Sequence, residues 1–118
     1  MMAACKAEAE AHHWDVSIAI VDDGGYLLLF DRMDGAGLLT PAVATAKART
    51  AALSRIPTKV LEDRVAERPS FLKLPEYLPV QGGMPIKVDG DCIGAIGVSG
   101  VQSQEDEQIA NAGIAALG

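Results

Sequence analysis

The chain has 118 residues, one domain's worth, and carries a formal net charge of −6. That charge, with no clustered Lys or Arg to neutralise phosphates, argues against a nucleic-acid surface. Cys5 and Cys92 are the only cysteines and stand far apart, outside any CxxC spacing, so neither a disulfide framework nor a zinc ribbon is expected.

Residues Ala3 to His13 are rich in Ala and Glu and predict a first helix. Its charged start, with Lys6 and Glu8, carries no signal-peptide core. No apolar run nears the ~18 residues of a membrane span, and the cysteine usage points to a reducing, cytoplasmic setting. From Trp14 to Asp22, Val16, Ile18 and Ile20 alternate with Ser17, Ala19 and Val21, a strand pattern. The turn cluster Asp22-Asp23-Gly24-Gly25 leads to a second strand, Tyr26 to Phe30, completing a hairpin.

A charged loop, Asp31 to Gly37, precedes Thr40-Pro41, a helix start with Thr as N-cap and Pro just inside. The helix runs to about Arg55 on small side chains suited to close packing. A shorter helix follows over about Lys59 to Glu67, with Val60, Leu61 and Val65 expected inward. Pro69, Pro75 and Pro79 forbid a long helix over 68–81.

A second hairpin pairs Met84–Val88 with Cys92–Val98 across Asp89-Gly90, whose type I′ turn needs positive φ at both central residues. The Cys92–Val98 strand carries no charge on either face, which predicts a central strand covered on both sides. The chain closes with a helix over about Gln104 to Leu117, introduced by a capping-box-like Ser103-x-x-Asp106. Ile109, Ala112, Gly113, Ala116 and Leu117 are its expected buried face. Two hairpins separated by helices predict an α+β domain over residues 1–118, with a central antiparallel sheet and helices on both faces.

Read together, Val21-Asp22-x-Gly24-Gly25, Arg32-Met33-Asp34-Gly35-Ala36, Lys47-Ala48-x-Thr50-Ala51, Gly82-Gly83-x-Pro85, Gly94-Ala95-Ile96-Gly97-Val98-Ser99-Gly100 and Asp106-Glu107-x-x-Ala110 form an ordered set. Their order and spacing resemble the GlcG/HbpS family, which includes the C-terminal domain of PduO-type proteins. The resemblance implies a profilin-like fold and assembly into homo-oligomers. It implies haem as a cofactor or ligand in some members, and in others a place beside enzymes of small-acid, diol or aromatic catabolism.

Two groups of residues become candidate sites. His12 and His13, the only histidines, are either helix-end residues or axial ligands to haem iron. Arg32 and Lys47 would receive a carboxylate of a small anionic ligand, such as a haem propionate. Asp22 recurs at a motif position beside them, and Gly82 and Gly83 would let backbone N–H groups approach that ligand. The alternative is that Arg32 pairs with Asp34 to hold its loop. Gly94, Gly97 and Gly100 read as packing glycines. Glu105, Asp106 and Glu107 read as solvated charges in the last helix's first turn, with a bridge from Asp106 or Glu107 to Arg32 or Lys47 as the other arrangement. No G-x-S-x-G, phosphate-loop or dinucleotide-binding pattern is present.

Three functions follow. The first is a small-ligand-binding protein of the GlcG/HbpS type, taking haem or a related tetrapyrrole. The second is an accessory isomerase or hydrolase of small organic acid or aromatic catabolism. The third is an oligomeric scaffold subunit.

Overall fold

Alternating Ile and Val on one strand face, and Ala and Gly on the other, decide how this molecule is layered. The computed structural model describes all residues, Met1–Gly118. In chain order the elements are α1 (Met2–Ala11), β1 (Ser17–Asp22), β2 (Leu27–Arg32), α2 (Thr40–Ser54), α3 (Thr58–Glu67), a 3-10 turn (Pro69–Lys73), β3 (Gly83–Val88), β4 (Asp91–Ser99) and α4 (Ser103–Ala115). The sheet is antiparallel throughout, in the order β2-β1-β4-β3. The α+β architecture with a central antiparallel sheet is as expected, and the uncharged strand is central.

In the register of β1 against β4, Ile18 lies opposite Val98 and Ile20 opposite Ile96. These large side chains form one core with Val16, Ile86 and Ile109, beneath α1 and α4. On the other face Ala19 lies opposite Gly97 and Val21 opposite Ala95. There α2 supplies Ala44, Ala48, Ala51 and Ala52, and the second core is almost all alanine. Small residues on both partners let the helix backbone rest on the strand backbone. A Cβ on Gly97 would lie 2.1 Å from the Ala44 carbonyl oxygen, and one on Gly83 would lie 2.4 Å from that of Lys47.

The second hairpin turns as its sequence requires. Asp89 and Gly90 have φ of 51° and 86°, and Val88 pairs with Asp91 around them.

Several expectations shift. The last helix takes Gln102 as N-cap, and the Glu105 carboxylate accepts from its backbone N–H, so the box sits one residue earlier than read. Thr40 is already helical, and its hydroxyl donates to the Gly37 carbonyl and accepts from Ser17. The α4 stripe facing the core is Asp106, Ile109, Ala110 and Gly113, while Ala116 and Leu117 are exposed beyond its last turn. On α3 only Leu61 of the three expected apolar residues is buried, and Val60 is exposed. The stretch after α3 forms only the 3-10 turn before entering β3, as its prolines dictate.

Candidate functional site

The residues expected to share an anionic pocket lie in three places. Ser17 pairs with Arg32 at one end of β1, and Asp22 closes its other end. Five strand steps separate them, roughly 17 Å at ~3.3 Å per residue. Asp22 Oδ1 accepts from the backbone N–H groups of Gly24 and Tyr26, both at 2.9 Å. Its carboxylate therefore shapes the hairpin turn. Arg32 donates to the Ala36 carbonyl through Nη2 at 2.8 Å and Nε at 3.3 Å. It holds the 33–36 loop by that carbonyl rather than by Asp34.

Lys47 occupies the third place, together with Gly82 and Gly83. It lies on the core-facing stripe Ala44-Lys47-Ala48-Ala51 of α2 and is 2% exposed. Its Nζ donates to Asp106 Oδ2 and to the Val98 carbonyl, each at 3.0 Å. A Cβ on Gly82, whose φ is +131°, would stand 2.7 Å from that nitrogen. The two glycines thus make room for the lysine and for the α2 backbone. Asp106 is equally sealed, and its second oxygen accepts from the Val101 N–H at 3.1 Å. Since α2 and α4 cover opposite faces of the sheet, Lys47 ties one layer to the other around its end. Burial pushes the Asp106 carboxyl above its ordinary range, against the pull of Lys47 and the Val101 N–H. None of the surface clefts is lined by Lys47, Asp106, Gly82 or Gly83.

The expected solvated charge at Asp106 is therefore corrected, and the bridge to Lys47 is the arrangement formed. A signal for it lay in the sequence. Lys47 and Asp106 each stand in register with a small-residue stripe, Ala44/Ala48/Ala51 and Ile109/Ala110/Gly113. A charge inside such a stripe is buried, and a buried charge needs a partner.

The histidines follow α1 and behave differently from each other. His12 Nε2 meets Glu8 Oε2 at 3.1 Å, and the ring stacks on Trp14 with centroids 4.3 Å apart and planes 18° from parallel. Gln108 of α4 donates to the same Glu8 oxygen at 2.7 Å. His12 is thus held in a polar cluster. His13 takes a left-handed φ of 59°, which turns it out of the helix path. Its ring makes no hydrogen bond within the chain and faces a cleft of about 450 Å³ shared with Glu10, Trp14, Asp15 and Met33.

The Arg32 loop borders this cleft. Met33 lines it, and a Cβ on Gly35 (φ +90°) would stand 2.7 Å from Asp15 Oδ2. Sequence order alone did not bring the loop to His13; the pairing of β1 with β2 did. A second cleft, between α2, α3 and residues 71–77, is walled by Leu53, Leu61, Phe71 and Tyr77 and contains no histidine.

The cysteines are free. Cys5 is buried, and desolvation pushes its thiol up to about 11, while Cys92 is half-buried. Cys5 is therefore no ready nucleophile, since the thiolate is the reactive form and burial suppresses it.

These features define an α+β sandwich with a sealed Lys–Asp tie between its helical layers and one unengaged histidine at the end of its first helix. The chain belongs to the HbpS-like family: the model described as "Haem degrading protein HbpS-like" matches residues 1–115. It is 45% identical to protein GlcG of Escherichia coli K12 over 100 residues, 84% of this chain and 75% of GlcG. It resembles the crystal structure of a double mutant of Streptomyces reticuli HbpS with a TM-score of 0.93 at 38% identity, over 98% of this chain and 80% of that one. It also resembles a crystal structure of a PduOC–haem complex, with a TM-score of 0.88 at 31% identity, over 98% of this chain and 87% of that one.

Proposed function

We propose that this protein binds haem or a closely related tetrapyrrole in the cleft beside His13, as a homo-oligomer. The observation that carries the reading is the unengaged His13 imidazole, exposed over a cleft with Trp14 and Met33 as apolar walls. A neutral imidazole is a common axial ligand of haem iron. Membership of the HbpS-like family and the likeness to a haem complex support it.

The residues fit such a group in kind. His13 would hold the iron, and Trp14 and Met33 would lie along the macrocycle. Arg32 ends β2 one residue before Met33, which lines the cleft, and keeps Nη1 free of bonds within the chain, so it would receive a propionate. Glu10 and Asp15 line the same cleft, so the propionates would turn away from them towards Arg32. Haem when bound would supply the iron's redox and ligand chemistry. The chain's own part is to bind and orient it. A porphyrin is wider than this cleft, so a second subunit covering it suits the proposed oligomer. The unpaired thiols of Cys5 and Cys92 suit a reducing cytoplasm.

Titration with haemin under a visible spectrum tests the reading. A saturable Soret shift near one haem per chain is expected. A spectrum that stays that of free haemin at stoichiometric protein would overturn it.

A further inference from the structure

The two edges of the sheet are unlike. β3 carries Pro85, Lys87 and a register shift at Ile86/Lys87, devices that discourage an added strand. β2 carries Leu27, Leu28, Leu29 and Phe30 in succession, directly after Tyr26. All five are exposed, Tyr26 at 68% and Leu28 at 63%.

Neither helical layer covers them. Phe30 pairs with Ala19 on the α2 face and Leu29 with Ile20 on the α1/α4 face, so the edge is apolar on both sides. Leu53 stands beside the turn at Gly25 and is half exposed. Leu38 and Leu39, in the loop after β2, are exposed at 87% and 72%. Tyr26 to Phe30 leave on the order of 500 Å² uncovered, at the upper range of monomer patches and well over half of the ~800 Å² per partner of a stable interface.

We propose that β2 is the contact surface for a second copy of this chain, joined edge to edge across a two-fold axis. This rests on the homo-oligomer of the preceding reading and names its surface. An antiparallel arrangement sets the apolar middle of one β2 against that of the other. It brings the Asp31-Arg32 end of each strand to the Asp22-Asp23 turn of its partner. Asp31, at that end, is already matched by Lys6 at 3.1 Å and brings no unpaired charge to the contact. Once joined across the two-fold axis, both β2 edges are used and neither is left free for further growth. With β3 blunted as well, the contact closes as a pair instead of extending into a fibre.

Sedimentation velocity on the wild type, Leu28→Lys and the control Ile93→Lys tests this. Ile93 is an exposed residue on β4 outside the patch. The expected result is an oligomer for wild type and control, and about half that mass, or a monomer, for Leu28→Lys with an unchanged circular dichroism spectrum. A wild type that sediments as a monomer overturns the oligomer and the surface together. A wild-type oligomer that Leu28→Lys leaves intact overturns the surface alone, as does dissociation by both variants. Should Leu28→Lys not fold, Leu28→Cys in a Cys92→Ser background gives a second readout. Oxidative cross-linking into dimers supports the two-fold contact, and its absence in an oligomeric preparation overturns it.

Discussion

The Lys47 ammonium lies 3.0 Å from the Asp106 carboxylate, and each side chain is all but sealed from solvent. The lysine comes from the helix on one face of the sheet and the aspartate from the helix on the other. Removing either partner leaves an unmatched charge where water cannot reach it. Lys47→Ala or Asp106→Ala is therefore expected to cost about 3–5 kcal/mol, and Lys47→Met with Asp106→Leu to cost far less or to stabilise. Urea unfolding of the two single variants and the double variant checks this. A loss in the double variant equal to the sum of the two single losses would show that the pair is not energetically coupled. Loss of activity in Lys47→Ala alone would report folding before chemistry.

The same pair sets a pH dependence. Burial raises the Asp106 carboxyl above its ordinary value, so the folded state holds that proton more tightly than the unfolded chain. The contribution is complete below the unfolded value, about pH 4, and is lost as pH rises through the raised folded one. The stability advantage of wild type over Asp106→Asn is thus expected to shrink as pH rises above about 4. Denaturation series at several pH values measure it. A gap that widens with pH would mean that Lys47 wins over burial.

Gly97 tests the close approach of α2. An added methyl would meet the Ala44 carbonyl at 2.1 Å and the Ala48 nitrogen at 2.4 Å, both backbone atoms. Neither can swing aside, so the helix must lift off the strand. Gly97→Ala is expected to cost about 3 kcal/mol, the upper part of the usual range for overpacking. A change in denaturation midpoint no larger than that of Gly37→Ala, where a Cβ meets nothing nearer than the Thr40 Cγ2 at 3.6 Å, would refute the tight contact.

His12 and His13 are adjacent in sequence and opposite in engagement. His12 is held by Glu8 and stacked on Trp14, whereas His13 is unbonded. His13→Ala is expected to abolish the Soret shift of bound haem, and His12→Ala to leave its position unchanged while weakening binding by a few-fold. The reverse order would move the proposed ligand one residue.

Much of the architecture was legible in the residues. Alternation in β1 and the uncharged β4 marked central strands, and Asp89-Gly90 marked its turn, because these patterns act over a few residues. The placement of Lys47 was not legible in the same way. The stripe of Ala44, Ala48 and Ala51 marks Lys47 as buried, but its partner, the distant Asp106, and the room left by Gly82 came only from the fold. Arg32 was tied to its own loop, but through the Ala36 carbonyl rather than Asp34, a choice made by loop curvature.

By itself the sequence determined which segments become strands and helices, the hand of the Asp89-Gly90 turn, and the small-residue face on which α2 could settle. Those follow from side-chain size and backbone preference, which are local. Only the tertiary structure decided that Lys47 points inward to Asp106, that His13 and the Arg32 loop share one cleft, and that β2 is left uncovered at an edge. Each of these depends on strand order and on helices packing from opposite faces, and so on contacts between residues far apart in the chain.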